Sequence, residues 1–202
     1  MRSVAKHSWR GLSVLALLLT ATIFEPASAA PAPTVFTMVP SGGPKGCLPY
    51  AKAVVTIKSL GPVEVMTVVA SGLPRDTDFD LFNIQVPKFP FGLSWYLGDL
   101  HSNGYGKAVG TFIGRFNREN FIVAPGAAPA PKLHPADATS NPATPPVHIF
   151  HLGLWFNSPK DADEAGCGDA VTPFNGDHTA GVQVLNTSNA PDKRGPLIRV
   201  AP

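Results

Sequence analysis

Beyond its first thirty residues the chain alternates apolar and polar side chains with a period of two, and glycine and proline interrupt the alternation at short intervals. In Lys52 to Lys58, Ala53, Val55 and Ile57 alternate with Lys52, Thr56 and Lys58, and Val63 to Val69 follows across the turn Ser59-Leu60-Gly61-Pro62. Side chains on a strand point alternately to opposite faces, so such runs predict neighbouring antiparallel strands with one face buried. Asp78 to Val86, Leu93 to Leu100, Lys107 to Phe116 and Phe121 to Ala124 continue the pattern, with Asn103-Gly104 as the expected tight hairpin turn. Val147 to Phe156 is apolar on both parities and predicts a central strand covered on both sides. Gly181 to Asn186 and Leu197 to Val200 supply the last predicted strands.

Two segments break the pattern. Ser158-Pro159 offers an N-cap followed by a first-turn proline, and Asp161 suits the positive end of a helix dipole, so a short helix is expected from Pro159 to Ala165. Residues 125 to 146 are rich in Pro, Ala, Thr and Ser with almost no large apolar side chain, and are expected to form a long loop within one domain. The segment from Pro31 to Pro49 reads as an extended lead-in. The fold class expected is all-β, an antiparallel β-sandwich of about eight or nine strands with one short helix; a closed barrel is the competing arrangement.

The first 29 residues read as a signal peptide: Arg2, Lys6 and Arg10 precede an apolar run from Gly11 to Phe24, and Ala27-Ser28-Ala29 supplies the small residues of a cleavage site. Residues 30–202 then form a single domain of a secreted or periplasmic protein, with no later stretch able to span a membrane as a helix. The leader carries three bases and one acid, and removing it leaves thirteen of each. That balance gives no support to a nucleic-acid or anionic-membrane partner. Cys47 and Cys167 are the two cysteines, and in an oxidising compartment they are expected to pair.

Candidate chemistry is sparse. Asp76, Asp78 and Asp80 recur every second residue and present carboxylates for calcium, but the glycine-containing loop of an EF-hand is absent, and a polar strand face is the plainer reading. His148 and His151 are the candidate metal ligands, with His178 as the third, for copper or zinc; His101 and Asp177 are further partners. In a strand, residues three apart face opposite ways, so His148 and His151 form no ready-made chelate. No Gly-x-Ser-x-Gly elbow or Cys-His arrangement marks a hydrolase. Asn186-Thr187-Ser188 is a glycosylation sequon in a eukaryotic host. Phe89, Phe91, Trp95, Tyr96, Trp155 and Phe156 are expected mainly in the core, with a ligand groove as the alternative.

Two resemblances attach to particular residues. In the last third of the chain, His148-Ile149-Phe150-His151, Ala165-Gly166-Cys167, Phe174-Asn175 and Gly176-Asp177-His178 resemble copper-zinc superoxide dismutase, but this chain has His-x-x-His where that family has His-x-His, so the activity is not implied. Ser71-Gly72-Leu73-Pro74, Thr77 to Phe82, Leu97-Gly98-Asp99-Leu100 and Asn103-Gly104-Tyr105-Gly106 resemble secreted bacterial immunoglobulin-like sandwiches. That resemblance implies a fold and no reaction. The function expected is a non-catalytic binding or surface-interaction module for an extracellular protein or glycan, with a metal-binding protein as the alternative.

Overall fold

A computed structural model describes residues 31–92, 94–116, 149–173 and 179–200. Eight strands form among the described residues: β1 Thr34–Pro40, β2 Lys52–Ser59, β3 Glu64–Ser71, β4 Asp78–Ile84, β5 Ser94–His101, β6 Lys107–Gly114, β7 His151–Phe156 and β8 Gln183–Asn186. One helix, α1 Pro159–Glu164, follows β7. Ser158 caps it by accepting from the Asp161 amide at 3.1 Å, and Gly166 at φ +74° follows its last turn. The expected strands at 121–124 and the Pro/Ala-rich stretch 125–146 lie outside the described residues.

The all-β architecture is as expected, but the layers differ from a two-sheet sandwich. All pairings are antiparallel, and they join the strands into one sheet in the order β5-β4-β7-β8-β1-β2-β3-β6. The join runs through β1, whose residues Thr34 to Met38 pair with β2 while Val39 and Pro40 pair with β8. The two sheet edges, β5 and β6, meet again at a single bridge between Ser102 and Ala108. The sheet therefore curls almost into a barrel, and the inward side chains of both arms fill one core, including Met38, Val55, Met66, Phe79, Leu154 and Phe156. Residues before 117 and after 148 share that core, since β4 pairs with β7 and the Phe79 and Phe156 rings lie 5.1 Å apart.

Three local expectations are corrected. The lead-in contains a strand, because Phe36 and Met38 point into the core while Val35 and Thr37 point out. The last expected strand, Leu197 to Val200, is instead part of a 3-10 turn, Pro196–Arg199, whose buried Leu197 plugs the core; proline at its start lacks the N–H that a strand ladder would use. The hairpin turn places its positive φ at Gly106 (+67°) rather than at Asn103-Gly104. The Asn103 side chain accepts from the Tyr105 and Lys107 amides, and a Cβ on Gly106 would lie 2.2 Å from the Leu73 carbonyl oxygen.

Cys47 and Cys167 form a disulfide, with Cα atoms 5.1 Å apart. It ties the β1–β2 connection to the chain after α1. No helix among the described residues is long and apolar enough to cross a membrane.

Candidate functional site

The period-two rule sends Phe79, Leu81, Leu152 and Leu154 inward and leaves Asp78, Asp80, Phe82, Ile84, His151 and Trp155 on the outer face of the β5-β4-β7-β8 arm. His151 is buried there. Its Nδ1 lies 2.8 Å from Thr187 Oγ1 and its Nε2 3.0 Å from the Asp192 carbonyl. A carbonyl only accepts, so Nε2 carries the proton and Nδ1 accepts from the threonine hydroxyl. Burial holds the ring below the ordinary histidine pKa, against opposing hydrogen bonds from the 191–192 backbone.

His101 stands at the far end of the same face. It is exposed, with Nδ1 2.7 Å from Asp78 Oδ1 in the cross-strand pair Asp78–His101. The β4 partners of His101 and His151 are Asp78 and Ile84, six residues and thus about 20 Å apart. The two histidines do not meet. His148, His178 and Asp177 lie outside the described residues, among which no group of three His, Cys, Asp or Glu side chains is placed to hold a metal ion.

The aspartate series divides. Asp76 sits in the preceding turn at φ +50°, Asp78 is exposed, and Asp80 is fully buried. Sequence spacing did not reveal the partner of Asp80, which is Asp99, directly opposite on β5. The β4–β5 register shifts at Leu81/Phe82, and a bulge of this kind has no dependable sequence signal. Neither Asp80 oxygen meets a hydrogen-bond partner of ordinary geometry, although Asp99 is near enough to act on it. Burial, then Asp99, and then the charge of Asp78 push the Asp80 carboxyl up to about 7. Tyr96 donates its hydroxyl to Asp99 Oδ1 at 2.5 Å, and partial burial together with the adjacent carboxylates raises the phenol pKa.

An aromatic run crosses the same face. Ring centroids step from Tyr96 to Phe82 (5.6 Å), Trp155 (5.5 Å), Phe91 (5.0 Å) and Phe89 (5.8 Å). The loop after β4 folds back to place the last two: Val86 N–H donates to the Phe91 carbonyl, Phe91 N–H to that of Lys88, and Asn186 Nδ2 to that of Pro87. Trp155 is fully buried in this second small core, whereas Phe89 is 84% exposed. Two clefts, of about 420 and 620 Å³, flank Phe89 and share Ser41, Phe91 and Gln183. Val171 and Pro173 wall the first, and Lys88 and Ser188 the second. The expected division of the aromatics thus holds only in part: Phe156 and Trp155 are core, and Phe89, Trp95 and Tyr96 face solvent.

Asn186, the sequon asparagine, is almost wholly buried, with its amide nitrogen committed to Pro87 O and Gln183 Oε1. The folded protein offers no room for a glycan there. Neither described histidine contacts a serine or thiol, and Ser102 donates its hydroxyl to the Pro74 carbonyl as part of the hairpin. No protein-family model matches the chain, and no curated protein matches it.

Proposed function

We propose that the protein is an exported, non-catalytic binding module that recognises a glycan in the cleft pair beside Phe89. The exposed Phe89 ring carries the reading. An aromatic face left open to water between two clefts can stack on the C–H face of a sugar ring, while the Ser188 hydroxyl and Lys88 supply hydrogen bonds around it and Ser41, which donates its hydroxyl to Gln183 Oε1 at 2.9 Å, keeps an accepting oxygen. The partly buried Phe91, packed on the buried Trp155 and Phe82, holds that ring on its base. The disulfide and the leader both suit an oxidising compartment outside the cytoplasm.

A glycan array followed by titration calorimetry tests the assignment. Phe89→Ala is expected to weaken binding at least tenfold without lowering the melting temperature, because the side chain is exposed. Unchanged affinity in Phe89→Ala, or an array without a single hit, refutes it.

A further inference from the structure

The outer face of the other arm, formed by β1, β2, β3 and β6, has a different character. Cross-strand register places Val54, Val69 and Val109 in one row and Thr56, Thr67 and Thr111 in the next. Val109 and Ile113, on edge strand β6, are 67% and 71% exposed. Lys52 and Lys107 stand at one end of the face and Lys58 towards the other, all exposed, and none forms an ion pair among the described residues. The one acid on these four strands, Glu64, points inward and is fully buried. Charge is therefore segregated: Asp78 and Asp99 lie on the outer face of the first arm, and bases without acids on this one.

We propose that this face docks on an anionic lipid surface. A centre of valines and threonines with lysines at both ends complements a layer of acidic headgroups over hydrocarbon, since lysine stems lie along apolar surface while their ammonium groups reach the phosphates. Extent argues in the same direction. Four strands spaced about 4.8 Å apart and seven or eight residues long cover roughly 500 Å², below the ~800 Å² per partner of a stable protein interface. Pairing the face with the same face of a second copy would also set lysines against lysines.

The test is cosedimentation of protein purified without residues 1–29, using vesicles of phosphatidylcholine alone and vesicles containing phosphatidylglycerol. Each lysine near an anionic surface contributes roughly fivefold in affinity. Binding to the anionic vesicles is expected to exceed that to neutral ones by at least tenfold and to fade with added salt. Lys52→Glu with Lys107→Glu should abolish the preference, and Val109→Asp with Ile113→Asp should abolish binding. All four positions are exposed, and an unchanged near-ultraviolet spectrum checks folding. Phe89→Ala should leave vesicle binding intact, which separates this surface from the glycan cleft. Equal affinity for both vesicle types, no binding, or concentration-dependent dimers lost in Ile113→Asp would overturn the proposal.

Discussion

Replacing Asp80 by asparagine should stabilise the protein above neutral pH. The substitution keeps side-chain shape and removes the charge that the site opposes. Asp80 is wholly buried opposite Asp99, and its carboxyl is raised from 3.8 to about 7. Above that upper value the folded protein carries an ionised group that the unfolded chain would solvate better. Raising the carboxyl that far corresponds to a cost of about 4 kcal/mol. Between 3.8 and 7 the folded state holds a proton that the unfolded state has lost, so the Asp80 contribution to stability grows as pH falls and is lost as pH rises through 7. From pH 8 to pH 5 the wild type should gain about 3 kcal/mol from this group, and Asp80→Asn should gain none of it. Urea unfolding of both proteins at the two pH values gives the double difference, in which titrating groups remote from Asp80 cancel. Asp80→Asn is expected to be more stable at pH 8, with the advantage shrinking by about 3 kcal/mol at pH 5. Parallel pH profiles, or a variant less stable at pH 8, would refute the reasoning.

Other outcomes follow from the same packing. His151 titrates in the opposite sense: its pKa is lowered, so below about 6.5 the unfolded chain binds a proton that the folded ring resists, and stability falls with pH; in the Asp80→Asn background urea midpoints should drop from pH 7 to pH 5, and a rise would contradict this. Replacing both Cys47 and Cys167 by serine opens a loop of 120 residues and is expected to cost up to about 4 to 5 kcal/mol, read as a lower urea midpoint that reductant no longer shifts. Gly106→Ala must move the Leu73 carbonyl or give up the positive φ, and should destabilise by about 2 kcal/mol or more in thermal denaturation. A melting temperature within one or two degrees of wild type would show that the turn adapts.

The short-range pattern was largely readable. Ala53-Val55-Ile57, Phe79-Leu81 and the Ser158-Pro159 helix start each carry their own signal, and each element forms where that signal lies. β1 escaped notice because Thr34–Pro40 sits between prolines, a composition that also describes an extended tail. Only its position between β8 and β2 shows why Phe36 and Met38 alternate with Val35 and Thr37. The 3-10 turn at Pro196–Arg199 was hidden for the opposite reason: four residues with apolar Leu197 and Val200 nearby imitate a short strand.

The amino-acid order by itself determined extended backbone, its inward and outward faces, and the pairing of two lone cysteines, because those depend on neighbours two residues away or on the absence of other partners. Tertiary structure alone decided that a single strand, β1, joins both arms into one curled sheet. It also decided that Asp80 faces Asp99, that His101 and His151 stand at opposite ends of β4, and that the lysines share a face without acids. The reason is register: hydrogen bonding between strands distant in the chain selects which side chains become neighbours, and a shift such as the one at Leu81/Phe82 changes that selection without leaving a mark in the local pattern.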